Sequence, residues 1–135
     1  MENIDLLIEQ FIGDEIFLDN YTKTDNLSCK DYDPKLTIKI GKRINKNIKL
    51  ILQSEDGITR FKKLLNHDAP IIQFVAARYL FPVMGDESIN IMKNYRNSLN
   101  DKIKQWEIDN LIASLKQKQN VITAQYNDIY GKEVL

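Results

Sequence analysis

Apolar residues recur at three- and four-residue spacing along most of this chain, and such spacing is typical of amphipathic α-helices. The clearest case is the segment 58–81, which predicts two helices joined by a tight turn. The second of these begins at Pro70, because the fixed φ of proline suits the first turn of a helix. We expect Asp56, directly before Gly57, and Asp68 to cap the two helices. The apolar face of the first helix consists of Ile58, Phe61, Leu64 and Leu65.

The N-terminal part of the chain predicts two further helices. Residues 3–21 form either one helix or two short helices broken near Gly13, and a polar loop follows over 22–33. Asp33 and Pro34 then provide an N-cap and a first residue for a helix over 34–53. Residues 35–40 also alternate as a strand would, but the helical spacing continues beyond them and a lone strand would have no partner. The apolar side of this helix consists of Leu36, Ile40, Ile44, Ile48 and Ile51.

The C-terminal half continues the helical pattern. Asp86 or Ser88 caps a helix that ends near a turn at 97–101, and residues 103–118 form the next helix. Residues 121–130 form a last apolar segment, which Gly131 ends. This tail either docks on the rest of the protein or binds a partner.

Within the central hairpin, the stretch LLNHDAPIIQFVAARYL resembles one HEAT-type helical repeat. More closely, residues 61–115 resemble the core of an uncharacterised bacterial family of short helical proteins, known only as a domain of unknown function. The family has a leucine pair, a histidine, a proline turn and paired alanines in this order. Gln73 departs from HEAT repeats, which usually have arginine there, so the Asp–Arg ladder of long HEAT arrays is not expected. The matching positions are Leu64, Leu65, His67, Pro70, Ala76 and Ala77.

Pattern and resemblance together predict an all-α protein, a short HEAT-like antiparallel helical stack of about six helices in an α-α superhelix. We expect one helical-repeat domain over 1–118 and a C-terminal tail over 119–135. The family has no assigned activity, so the resemblance implies a fold and no function.

Composition narrows the function classes. No apolar run among the 135 residues approaches the roughly 20 that a membrane span needs, and the N-terminus lacks the features of a signal peptide, so we expect a cytoplasmic protein that does not enter membranes. Cys29 is the only cysteine and His67 the only histidine, which argues against a disulfide, a metal site or a Cys-His dyad. We expect His67 to bond to backbone in its turn. The chain is therefore predicted to be no enzyme and to hold no cofactor or metal.

Charge is strongly segregated although the net charge is zero. Residues 1–33 contain nine acids and two bases, whereas residues 34–63 contain nine bases and two acids. The bases of helix 34–53 form a basic face that could hold a nucleic-acid backbone by charge. Alternatively, the acidic first helix packs beside this face and neutralises it, or the face is simply solvated. The basic face consists of Lys39, Lys42, Arg43, Lys46 and Lys49.

Trp106 lies off the apolar stripe of helix 103–118, and tryptophan is enriched at binding hot spots. Tyr95, Arg96 and Tyr79 could join it on one partner-binding surface. Alternatively, Trp106 covers the seam between helices together with Ile103. The sequence thus favours a non-enzymatic module that binds another protein, for example a bacterial immunity or adaptor protein. Nucleic-acid binding through the basic face is the second hypothesis.

Overall fold

All secondary structure in the described part of the chain is helical. The computed structural model describes residues 3–23 and 32–135, and it contains eight α-helices and one 3₁₀ turn in these ranges. The prediction of an all-α protein is confirmed, but the helix count is eight and not about six. The elements are α1 (Ile4–Tyr21), α2 (Pro34–Leu52), α3 (Glu55–Lys62), the 3₁₀ turn (Lys63–Asn66), α4 (Pro70–Tyr79), α5 (Phe81–Met84), α6 (Asp86–Ser98), α7 (Lys102–Lys116) and α8 (Asn120–Tyr130).

The chain divides into two compact units, Met1–Phe61 and Lys62–Leu135. The tail predicted over 119–135 lies within the second unit, and the single domain over 1–118 stays a prediction. Cys29 and most of the predicted loop lie outside the described residues. None of the helices in the described ranges is long and apolar enough to cross a membrane.

In the first unit, α1 and α2 pack side by side in antiparallel directions. Two polar pairs show this, because Gln10 meets Asn47 and Asp14 meets Arg43, so the order along α1 is the reverse of that along α2. Helix α1 passes through Gly13 without a break, and the strand alternative for 35–40 is wrong, since α2 covers those residues.

The start of α2 follows the predicted capping pattern. The Asp33 side chain accepts a hydrogen bond from the Lys35 backbone N–H at 2.9 Å, and Pro34 occupies the first turn. The residues expected on its apolar side from Ile40 onward are buried, as are Phe11 of α1 and Phe61 of α3. The rings of Phe11 and Phe61 meet edge to face with centroids 5.2 Å apart, so this contact links α1 to α3.

Helix α3 begins earlier than the sequence predicts. It starts at Glu55, so Asp56 lies in its first turn and does not cap it. The Gly57 N–H instead bonds to the Ser54 hydroxyl at 3.0 Å. A Cβ atom at Gly57 would lie 1.7 Å from the Ile51 carbonyl oxygen. Glycine is therefore required here for close approach to α2, and this packing reason is invisible in local sequence.

In the second unit, Pro70 begins α4 as predicted, but Asp68 is not its cap. The N-cap residue is Ala69, whose N–H bonds to Nδ1 of His67 at 3.0 Å. The Gln73 side-chain amide donates to the His67 carbonyl at 2.6 Å. His67 thus closes the turn by bonding to backbone, as the sequence predicts.

Three longer helices of this unit pack in sequence, α4 on α6 and α6 on α7. Pro82 lies just after α4 and occupies the first turn of the short helix α5. Asp86 and Ser88 do not cap α6, whose N-cap is Gly85 with φ +58°. Asp101 caps α7 by accepting from the N–H groups of Ile103 and Lys104, and Gly131 ends α8 in the left-handed conformation. The core of the unit includes Ile72, Ala76, Leu80, Met92 and Leu115.

Candidate functional site

The outward face of α7 carries two large exposed apolar side chains. Trp106 is 65% exposed and Ile103 is 62% exposed. The two are three residues apart on one helix, so they are neighbours on its surface. We call this pair the Trp106 patch. Both side chains are therefore accessible on the surface of α7.

An ion pair lies beside the Trp106 patch. Arg96 of α6 binds Asp109 of α7 with two contacts, Nε to Oδ1 and Nη2 to Oδ2, each 3.0 Å long. Asp109 is three residues beyond Trp106, so this pair fixes a charged group on the flank of the patch. Gln105 also donates to the Leu99 carbonyl at 2.8 Å, which ties the start of α7 to the end of α6.

A cleft between α4 and α7 borders the patch on the side of Glu107, and sequence reasoning missed it. Its volume is about 280 Å³. Glu107 lies four residues after Ile103 on the same face of α7, so the cleft and the patch are adjacent. The walls combine apolar and oppositely charged groups, and the lining residues of this α4/α7 cleft are Phe74, Arg78, Glu107, Ile108 and Leu111.

The other two predicted partner-binding residues, Tyr95 and Tyr79, do not line the α4/α7 cleft themselves. The Tyr95 ring stacks on Phe74 with centroids 4.8 Å apart, and Tyr95 lines a separate hollow with Leu65 and Pro70. Tyr79 lines a further cleft, which α8 partly fills. Of the four predicted residues, the structure brings Arg96 next to the helix face of Trp106, while Tyr95 and Tyr79 lie in two other depressions.

Helix α8 binds along the end of α4 through two tyrosine hydroxyls. The Tyr126 hydroxyl donates to the Arg78 carbonyl, and the Tyr130 hydroxyl donates to the Tyr79 carbonyl at 2.8 Å. Both phenols are buried, and burial raises the pKa of each above its ordinary value. These bonds satisfy carbonyl groups at the helix end that have no partner within α4 itself.

In the first unit, the lysines of α2 form a stripe at spacings of three and four residues, and all but Lys49 are exposed. Each lies roughly opposite the buried face of Ile40, Ile44 and Ile51 at 100° per residue. Lys39, Lys42 and Lys46 are exposed and have no hydrogen-bond or ion-pair partner within the described ranges, whereas Lys49 is half-buried and has one. The lysine stripe consists of Lys35, Lys39, Lys42, Lys46 and Lys49.

Arg43 differs from these lysines because it belongs to the contact with α1. Its Nε donates to Asp14 Oδ2 at 2.9 Å and its Nη2 to Oδ1 at 2.5 Å, while Asp14 is buried. The hydrogen bonds to Asp14 raise the pKa of the Arg43 guanidinium. Asp14 of α1 thus supplies a counter-charge to Arg43, whereas Lys39, Lys42 and Lys46 have no ion-pair partner within the described ranges.

Within the described residues, no group of three or more histidine, cysteine, aspartate or glutamate side chains is placed to hold a metal ion. No protein-family model, curated protein or solved structure matches this chain. The resemblance to HEAT repeats and to the bacterial helical family therefore stays a prediction.

Proposed function

We propose that this protein is a non-enzymatic protein-binding module, and that its binding surface is the Trp106 patch with the adjoining α4/α7 cleft. The observation that carries this proposal is the 65% exposure of Trp106 on the outward face of α7. A tryptophan left in water loses the large favourable free energy of burial, which a partner would recover.

The surroundings of Trp106 have the composition of a binding hot spot. Apolar side chains of the patch and the cleft supply a core, while Arg78, Glu107 and the Arg96–Asp109 pair supply a polar rim. The cleft volume of about 280 Å³ can hold several side-chain groups of a partner. Because Arg96 already binds both carboxylate oxygens of Asp109, its side chain needs no rearrangement when a partner binds.

We further propose that the helices form a short HEAT-like superhelix of the bacterial family described above, in a cytoplasmic protein that acts as an immunity or adaptor protein. The packing of α4 on α6 and of α6 on α7 supports a stack of neighbouring helices. The segregated charge supports steering of a charged partner.

The test is capture of partners from bacterial lysate by the tagged full-length chain at high salt, with mass spectrometry. The wild-type chain, Trp106→Ala and the matched control Val121→Ala are compared, since Val121 is equally exposed on another helix. We expect Trp106→Ala alone to weaken binding of a stoichiometric partner roughly 30-fold or more, as a hot-spot loss of about 2 kcal/mol implies. Equal capture by all three chains would refute the assignment of this surface.

The second candidate function is nucleic-acid binding through the basic face of α2. The exposure of Lys39, Lys42 and Lys46, which have no ion-pair partner among the described residues, favours it. The lysine stripe extends over about 21 Å, at 1.5 Å per residue from Lys35 to Lys49. That length covers about six phosphates of one strand. Local charge of this density can bind a duplex even though the net charge of the chain is zero.

Fluorescence anisotropy with a labelled duplex over a salt series tests this second function. Lys42→Glu together with Lys46→Glu should abolish binding at low salt, whereas Lys62→Glu with Lys63→Glu, outside the stripe, should retain most of it. Neutral replacements at Lys42 and Lys46 should lower the slope of log affinity against log salt by about two. Absence of duplex binding by the wild-type chain at low salt would remove this candidate.

A further inference from the structure

The turn between α7 and α8 contains the only residue other than glycine that has a positive φ in the described ranges. Lys118 has φ +48°, in the left-handed region where a Cβ atom crowds the backbone. Helix α7 ends at Lys116 and α8 begins at Asn120, so three residues connect the two helices. Asparagine and glycine are the residues that such a position usually selects, and this turn has neither between the helices.

The residues of this turn favour helix. Gln117, Lys118 and Gln119 all have high helix propensity. Gln119 is the N-cap of α8 and makes no side-chain capping hydrogen bond. Local preference therefore favours continuing α7 through residues 117–119, and it conflicts with the observed break between the two helices.

The apolar stripe of α7 also continues through the turn in helical register. From Ile108, the apolar residues lie 4, 7, 14, 18 and 21 positions onward. At 100° per residue, all of them fall within an arc of about 100°. Two separate helices that meet at a turn have no reason to share one register, but a single helix requires it. The stripe consists of Ile108, Ile112, Leu115, Ile122, Tyr126 and Ile129.

The binding site of α8 does not depend on how α8 is connected to α7. Its main contacts are the hydroxyl bonds of Tyr126 and Tyr130 to carbonyl groups of α4, and the Tyr126 ring lies 6.1 Å from the Phe81 ring. Tyr126, Ile129 and Tyr130 are buried there. An identical α8 from another molecule can make the same contacts.

We propose that a second copy of this chain exchanges α8 with the first, and that α7, the turn and α8 then form one helix over 102–130. That helix is about 43 Å long and carries the unbroken apolar stripe. Lys118 leaves the left-handed region, and each copy receives α8 of the other against the end of its own α4. A short strained hinge is the usual structural cause of such exchange.

The test uses the full-length chain unfolded in urea and refolded at low and at high protein concentration, with molar mass measured by light scattering during gel filtration. Lys118→Gly removes the strain and the helix preference together. Lys118→Ala is the matched control, because it removes the same charge but keeps the backbone strain and the helix preference. Circular dichroism confirms that each variant is folded.

We expect the wild-type chain and Lys118→Ala to form dimers on refolding at high concentration. Lys118→Gly should raise the dimer dissociation constant roughly tenfold or more, since two hinges change in each dimer. Monomers of the wild-type chain at all concentrations after refolding would overturn the proposal. Equal dimerisation of all three chains would also overturn it, because the dimer would then form through a surface unrelated to the hinge.

Discussion

The hydroxyls of Tyr126 and Tyr130 bind α8 to α4 and are buried. We therefore predict that the stability difference between wild type and a variant with phenylalanine at both positions reverses sign with pH. Burial raises the pKa of both phenols above their ordinary value of 10.0 in the folded protein. When the pKa of such a group is higher in the folded protein than in the unfolded chain, the group contributes its full stabilisation at pH values below the pKa of the unfolded chain. This contribution is lost as the pH rises above that value. The unfolded chain ionises near pH 10, so the loss begins there.

The magnitude follows from the structure. At pH 11 each phenol remains neutral in the folded protein while it ionises in the unfolded chain, which costs about 1.4 kcal/mol for each group. At pH 7 the hydroxyls of Tyr126 and Tyr130 contribute hydrogen bonds of about 1 kcal/mol each. Replacing both tyrosines by phenylalanine removes the hydrogen bonds and the ionisation together. The double variant should thus be about 2 kcal/mol less stable than wild type at pH 7 and slightly more stable at pH 11.

Urea unfolding followed by circular dichroism at the two pH values measures this difference directly. All other side chains are the same in wild type and variant, so their contributions cancel in the comparison. Each single variant, Tyr126→Phe or Tyr130→Phe, should give about half of the change. A difference in free energy of unfolding that stays constant between pH 7 and pH 11 would refute the argument, because it would mean that the hydroxyls are not buried against α4.

Two more predictions concern packing, and urea unfolding at neutral pH checks both. Gly57→Ala should destabilise the protein by about 3 kcal/mol, because its Cβ would overlap the Ile51 carbonyl, whereas Gly41→Ala should stabilise it by about 0.5–1 kcal/mol, since its Cβ meets no atom within 4 Å. Ser88→Ala should stabilise the protein by about 1 kcal/mol, because the fully buried Ser88 hydroxyl has no hydrogen-bond partner among the described residues. Equal effects at the two glycines, or a loss of stability at Ser88, would contradict these explanations.

Local sequence signals were sufficient at several helix ends, although the expected caps Asp56, Asp68, Asp86 and Ser88 were wrong. Asp33 and Pro34 begin α2, Pro70 begins α4 and Gly131 ends α8, as their backbone preferences predict. The spacing of Ile40, Ile44 and Ile51 correctly separated the buried face of α2 from its lysines.

Predictions from the sequence were wrong or incomplete where a contact with a residue far away in the chain determines the local structure. Gly57 was expected to precede its helix, but it lies inside α3 because the helix packs against the Ile51 carbonyl. Arg43 was grouped with the lysines, yet a buried Asp14 of α1 binds it. The α4/α7 cleft could not be predicted, since Arg78 and Glu107 come together only when α4 and α7 pack on α6. A break after residue 118 was predicted, but α7 ends at Lys116 and Lys118 lies in the turn, because no residue of the turn carries a turn signal.

The two candidate functions can be separated because their residues belong to different compact units. Lys42 and Lys46 lie in the unit Met1–Phe61, whereas Trp106 lies in the unit Lys62–Leu135. Substitutions that share no contacts usually have additive effects. Lys42→Glu with Lys46→Glu should therefore abolish duplex binding and leave capture of a protein partner at high salt unchanged, and Trp106→Ala should do the reverse. If either change reduced both activities while circular dichroism showed an intact fold, one ligand would have to engage both units at once. Protein and nucleic acid would then be parts of a single complex and not alternative partners.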